Sequence, residues 1–332
     1  MASSCQFEFA CNQFFTQAIY SVQIDLAHGF FWPPPLSMAP FKRSSALILW
    51  VLAALILSAC SVRQQLIRHV ADEWTQSSVE EEDVGLAREA SAFYLKLSES
   101  LLRAAPGHVA LAETVTSGLT QYAYAFLVNE ADRIESTQLQ QAQVLRERAS
   151  RMYARARQQG WATLVLNHPD WLEQLNTLGD RAVLTIRPEE VGLMYWTAAA
   201  WGGQISMSKD SPDVVADLPM VVALATQAWK AQPHHGDGAL ASLMGTLEMA
   251  RPGGSSTRAL AYWDQSISIS KGLNPGLYVA KAESWALAQQ DRAAFEALLN
   301  KAIEVSQTQR TLSNQILRAR AQWLLSQADD IF

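Results

Sequence analysis

The sequence predicts an all-α chain, built as a curved array of short helix pairs, on three observations. Alanine, leucine and glutamine are abundant, while 16 glycines and 12 prolines in 332 residues fall mostly in short clusters, the profile of a helical rather than a sheet protein. Apolar positions recur at spacings of 3 or 4, as in Leu86, Ala90, Phe93, Leu97 and Leu101, which shares one helix face. A small–aromatic–small pattern at spacings of 4 and 3 appears at Ala149, Tyr153 and Ala156 and again at Ala259, Trp263 and Ser266. Alanines that close helices, Ala228 and Ala302, fall in the same frame: Ala156 to Ala228 is 72 positions, Ala228 to Ser266 is 38 and Ser266 to Ala302 is 36. A strict tetratricopeptide repeat has a period of about 34 residues, so the array expected here is degenerate, tetratricopeptide-like, with extra flanking helices. Such a stack buries its apolar stripes between neighbours and leaves a concave face free for a partner.

Taken in order, residues 1–37 carry a Phe-rich stretch and Trp32-Pro33-Pro34-Pro35 with no usable helical period. They read as upstream sequence outside the protein proper, with Met38 as an alternative start to Met1. Residues 38–59 read as a signal segment: Lys42 and Arg43, then the apolar run from Ala46, then Leu57-Ser58-Ala59-Cys60. A basic lead-in, a short apolar core and small residues form the layout of a secretory signal, and the run is short against the roughly 20 residues of a spanning helix. An uncleaved anchor or a buried core helix is the alternative. The closing tetrapeptide resembles the lipobox of bacterial lipoproteins, which implies a lipid on the Cys60 thiol and cleavage just before it. The three cysteines are Cys5, Cys11 and Cys60, so the expected mature domain holds no disulfide. Ser61 follows the cysteine in place of an inner-membrane-retaining aspartate, which suggests an outer-membrane location facing the periplasm.

Residues 60–80 form the expected lipidated N-terminus and linker, with Val62 to Thr75 helical and close to the membrane. The helical domain spans 81–332. Its first helix is expected from Val84 to Ala104, ended by Pro106-Gly107-His108; a second starts near Val109, and a third runs from Gln141 to Gln159. Turns fall at Arg251-Pro252-Gly253-Gly254, Leu273-Asn274-Pro275-Gly276 and Gln289-Gln290-Asp291. The last helix, Leu312 to Ala328, caps the array.

A net charge of −6 and a pI near 5.6 argue against nucleic acid as a partner. No glycine-rich phosphate loop and no Gly-x-Ser-x-Gly elbow occurs. Adjacent His234 and His235 point different ways on a helix, so with Asp237 they do not make up a ligand set, and the stretch reads as a solvated turn after Pro233. The expectation is therefore a non-enzyme without metal or cofactor. The most unusual stretch is Tyr195-Trp196-Thr197-Ala198-Ala199-Ala200-Trp201-Gly202-Gly203. Two adjacent glycines inside a helix cost about 1 kcal/mol each relative to alanine, and are kept where a helix or a ligand approaches closely.

This stretch, with Leu101-Leu102-Arg103-Ala104-Ala105-Pro106, Tyr122-Ala123-Tyr124-Ala125-Phe126, Val214-Val215-Ala216-Asp217-Leu218-Pro219 and Glu248-Met249-Ala250-Arg251-Pro252-Gly253, resembles the T-component family. These lipoproteins are associated with tripartite ATP-independent periplasmic (TRAP) transporters. The resemblance implies self-association into a homotrimer, docking to the periplasmic substrate-binding (P) subunit, and a channel or cleft in each protomer. Here the last repeat departs from the pattern, with Ser306-Gln307-Thr308 in place of Asp-Pro. A general envelope-assembly lipoprotein is the competing reading. Tyr122, Tyr124, Trp196, Trp201 and Trp285 are the candidate cleft residues for an apolar or amphipathic ligand, since rings give large contact area at small entropic cost. Trp196 and Trp201 stand about 140° apart on a helix, so one is expected in the core and the other toward the cleft.

Overall fold

The computed structural model describes residues 83–332; Cys60, the signal segment, the linker and the start-site question lie outside the described residues. The first helix, α1 (Val84–Ala104), begins on Asp83, whose carboxylate accepts from the amides of Gly85 at 2.8 Å and Leu86 at 3.1 Å. Two of the amides that a helix start leaves unpaired are thereby satisfied. The face bearing Leu86, Phe93 and Leu97 does not pack inward: all three are exposed, Phe93 to 72%. Instead α1 buries Ala87, Leu95, Ser98, Glu99 and Leu102. The choice is steric and ionic. Leu95 lies over Gly118 of the next helix, where a Cβ would stand 2.7 Å from the leucine methyl, and the buried Glu99 takes the Arg155 guanidinium at 2.6 Å.

The second helix, α2 (Val109–Tyr122), passes without a break through a π-helical turn, Ala123–Val128, into α3 (Asn129–Ile134). Then α4 (Leu139–Asn167) runs well beyond its expected limits at the C-terminal end, continuing through Gly160, where Gly160, Thr163 and Leu164 are buried against the neighbouring helices. After it come α5 (Trp171–Leu178), short 3₁₀ turns at Gly179–Arg181 and Pro188–Glu190, and α6 (Val191–Met207). The helices α2, α4 and α6 pack on one another. Gly160 shows how closely: a Cβ there would clash with the Thr197 hydroxyl of α6 and stand 3.0 Å from that of Thr116 on α2.

The chain continues through α7 (Pro212–Val215), α8 (Leu218–Ala231), α9 (Ala239–Ala250), α10 (Ser256–Ser270) and α11 (Pro275–Lys281). A second π-helical turn, Ala282–Ala286, leads on to α12 (Arg292–Ser306), α13 (Leu312–Ser326) and α14 (Ala328–Ile331). No strand occurs among the described residues. Successive helices pack as neighbours: α6 with α8, α8 with α9, α9 with α10 and α11, α12 with α11 and α13. The last long helix then returns to the first, since α13 also packs on α1. One apolar core runs from α1 to α9, and a second joins α11–α14 around Phe295 and Leu299.

The small positions of the sequence pattern are all interior. Ala149, Ala156, Ala228, Ala259, Ser266 and Ala302 have no accessible surface, and neither does Trp263. A Cβ on Gly245 of α9 would stand 2.8 Å from the Trp263 ring, so the indole fills the space that the glycine leaves. Ala228→Leu is expected to overpack α8 and cost about 1–3 kcal/mol. A thermal melt checks this, and an unchanged midpoint would show that the site has room.

Candidate functional site

Between α1, α2, α4, α6 and α13 lies a cavity of about 650 Å³, within the roughly 300–1,000 Å³ range of ligand sites. Tyr94 and Leu95 come from α1, Gln121 and Tyr122 from α2, Tyr153 from α4, Tyr195, Trp196 and Ala199 from α6, and Leu312, Ile316 and Leu317 from α13. The π-helical turn supplies Tyr124, Ala125 and Phe126. There the amide of Asn129 bonds back five residues to the Tyr124 carbonyl, a wider turn than the α-helical one and one that recurs at functional sites. Tyr122 and Phe126 pack edge to face at 5.1 Å, and Tyr195 and Trp196 at 4.9 Å, in the arrangement that ring quadrupoles favour.

No charged side chain is among the lining residues. The polar side-chain groups of the wall are hydroxyls, an amide and an indole N–H: Tyr94, Tyr122, Tyr124, Tyr153, Tyr195, the serines and threonines of α1, α2 and the start of α13, Gln121 and Trp196. Burial pushes the Tyr195 phenol up to about 12 and raises Tyr153 further. Burial also raises Tyr124, reinforced by Glu283 and opposed by Arg320. These phenols stay neutral at any physiological pH, so they donate and accept hydrogen bonds without carrying charge.

The charges near Tyr124 are paired off. Arg320 of α13 donates to Asp132 of α3 at 2.7 Å and to Glu283 of the second π turn at 2.5 and 3.1 Å. Asp132 is shared with Arg146 of α4 at 2.9 Å, which also holds Glu135. Burial lowers the Arg320 pKa, but Glu283, Tyr124 and Asp132 outweigh that and hold the guanidinium firmly charged. This cluster joins both ends of the described chain.

Of the five aromatic residues expected at a cleft, Tyr122, Tyr124 and Trp196 line the cavity, and Trp201 and Trp285 are not among its lining residues. The buried Trp201 turns to the other side of α6, donating from Nε1 to Asp217 at 3.0 Å, with Arg157 over its ring at 4.7 Å and Trp161 at its edge. Trp285 sits in the second π turn near Lys281, against the C-terminal core. Tyr94, Tyr153 and Tyr195, which are not among the five expected residues, also line the cavity. The signals for two of them are local: Tyr195 directly precedes Trp196, and Tyr153 is the aromatic of the Ala149, Tyr153, Ala156 pattern. The glycine pair divides: a Cβ at Gly203 would stand 2.8 Å from the Tyr153 ring, whereas Gly202 faces open space. His235 lies in a turn, 5.7 Å from Tyr195, and no group of three potential metal ligands occurs among the described residues.

A second ionic cluster fixes the entry to α6. Glu190, fully buried, accepts from the Arg187 guanidinium and backbone amide and bonds His168 Nε2 at 2.6 Å. His168 in turn stacks on Trp171 at 4.1 Å. Burial raises the Glu190 pKa, but the bonds from Arg187 and His168 win and hold it below the usual value. A carboxylate depressed in the folded state contributes stability above its unfolded pKa and loses it as pH falls through the folded value. Glu190→Gln is therefore expected to cost about 1.5–3 kcal/mol at neutral pH, with a gap to wild type that narrows on acidification. Melting curves from neutral pH down to about 3 test this; a gap independent of pH would contradict it.

An all-helical domain that encloses an uncharged aromatic cavity is the class of protein that fold and site define. The chain belongs to the TRAP transporter T-component family, whose model matches residues 80–332. A search of curated proteins finds no match. Membership gives the protein a role in TRAP transport systems, in association with their components. No described helix is long and apolar enough to cross a membrane.

Proposed function

We propose that the protein is a non-catalytic scaffold, lipid-anchored through Cys60 to the outer membrane and facing the periplasm. In this reading it docks the TRAP periplasmic substrate-binding subunit, as a homotrimer, and passes that subunit an apolar or amphipathic ligand. Its helix pairs act as a degenerate tetratricopeptide-like array. The observation that carries the reading is the cavity: about 650 Å³, walled by aromatic rings and neutral hydroxyls, in a chain of a transport family. Such a wall suits a ligand whose body is apolar and whose polar group is uncharged.

Capture of the protein from solubilised envelope, with mass spectrometry of proteins and small molecules retained, tests the reading. A TRAP binding protein and a lipid-like compound should co-purify; recovery of outer-membrane assembly factors instead would favour the competing reading. The anchor has its own test, because only the Cys60 thiol can carry the diacylglycerol. Labelled fatty acid should enter wild type and not Cys60→Ala, and equal labelling would refute it.

A further inference from the structure

The hydroxyls in the cavity wall differ in what they have left to offer. Those of Thr114, Ser117 and Thr120 donate to carbonyls of their own helix, and Thr311 Oγ1 accepts from the amide of Asn314 at the start of α13. The phenol hydroxyls of Tyr124, Tyr153 and Tyr195 form no hydrogen bond with a described residue. Tyr153 is only 5% exposed and lines the cavity. Buried polar groups are paired as a rule, so the partner of its hydroxyl has to stand in the cavity itself. Gly203 seats this ring, since a Cβ there would come within 2.8 Å of it. Tyr124 and Tyr153 share one corner: burial raises both phenols, the Asp132 carboxylate acts on each, and Tyr153 acts on Tyr124 as well. Asp132 is already held by Arg320 at 2.7 Å and Arg146 at 2.9 Å. Burial alone raises Tyr195, whose ring lies 5.7 Å from that of His235.

We propose that Tyr124 and Tyr153 form a two-donor clamp that sets the specificity of the cavity, both hydroxyls donating to one uncharged carbonyl oxygen at the head of an apolar ligand. A carbonyl oxygen has two lone pairs and accepts from two donors at once. It brings no charge into a wall that holds no counter-ion. A neutral lipid carrying a ketone, ester or amide meets both conditions. The apolar body of the ligand lies back along α13. Arg320, Ile316 and Leu312 follow at spacings of four on that helix, neighbours from one turn to the next. Ile316 and Leu312 line the cavity, and eight residue steps rise about 12 Å. The head therefore sits at the ion-paired end of α13 and the chain points to its first turn. In the reverse orientation the carbonyl would meet hydroxyls that already donate to their own helix, and the phenols would stay unpaired. The clamp presupposes the ligand reading proposed above and adds which end of the cavity recognises the head group.

Displacement of N-phenylnaphthylamine, an uncharged fluorophore, by 2-decanone and by decane reads the clamp. The first carries a carbonyl that accepts but cannot donate, and the second has no polar atom. Wild type is expected to bind 2-decanone at least ten times more tightly than decane. Tyr124→Phe and Tyr153→Phe each remove one hydroxyl and should weaken 2-decanone about threefold to tenfold, the worth of one hydrogen bond, with decane unchanged. Tyr195→Phe should alter neither. Unchanged 2-decanone binding in both Tyr124→Phe and Tyr153→Phe would overturn the proposal. So would an equal loss of 2-decanone and decane, which marks packing rather than recognition. A loss of 2-decanone in Tyr195→Phe as large as in the other two would place the head elsewhere and overturn the assignment of this corner. Absence of fluorophore binding to wild type would overturn the ligand reading and the clamp together, whereas binding without a preference for 2-decanone over decane overturns the clamp alone.

Discussion

Replacing Arg320 with alanine is expected to destabilise the domain by about 3–5 kcal/mol, the cost of breaking a buried ion pair from one side. For a domain of this size that corresponds to a fall of roughly 6–20 °C in melting temperature. The Arg320 side chain is 9% exposed and is bound by two carboxylates from distant parts of the chain, Asp132 and Glu283. Its removal leaves Glu283 without a cation, while Asp132 keeps Arg146 at 2.9 Å. That asymmetry gives a second arm to the experiment. Arg320→Met with Glu283→Met removes the orphaned charge as well as its partner, and apolar replacement of a whole buried pair is often neutral. The double variant is expected to recover more than half of the loss. If Arg320→Ala melts with wild type, the two ion pairs do not stabilise the packing of α13 beside α3 and the second π turn.

How much of this was legible beforehand depends on the range of the interaction that decides each feature. The limits of α1 were readable because the acidic run that ends at Asp83 and the Pro106 stop are local signals, and Asp83 is the residue that caps the helix. Its buried face was not, because size and hydrophobicity pointed to Leu86, Phe93 and Leu97, whereas Gly118 and Arg155, on other helices, decide which side approaches. The interior alanines and Trp263 were readable from spacing alone, since close helix approach demands small residues at fixed intervals. The divergence of Trp196 and Trp201 followed from helical geometry, yet which of them borders the cavity rests on α13 and the ion pairs that hold it. The π turn at Ala123–Val128 leaves no clear mark in the sequence, and it brings Tyr124, Ala125 and Phe126 to the wall. The cavity needs α1 and α13 in contact, more than two hundred residues apart in the chain, and no periodicity reports that closure.

Filling the cavity should separate binding from folding. Ala199 lies on α6 three residues after Trp196, with its methyl at the cavity wall, so Ala199→Trp directs an indole into space rather than into packed core. The uncharged fluorophore N-phenylnaphthylamine is expected to brighten on adding wild-type protein, and Ala199→Trp to weaken its binding at least tenfold. The melting temperature should stay within about 3 °C of wild type, a change of under about 1 kcal/mol. Competition then reads the chemistry of the wall. No charged group lines the cavity, and Arg320, the guanidinium near Tyr124, is already taken by two carboxylates. An ionised head group entering there loses its hydration without gaining a counter-charge, at several kcal/mol, while a hydroxyl head finds phenols to bond. Decanol should therefore displace the fluorophore at least ten times more effectively than decanoate at neutral pH, and decanoate should improve as the pH falls toward its own pKa. Displacement by decanoate equal to that by decanol at neutral pH would mean that a cation reaches the bound head group, and the reading of an uncharged wall would fall.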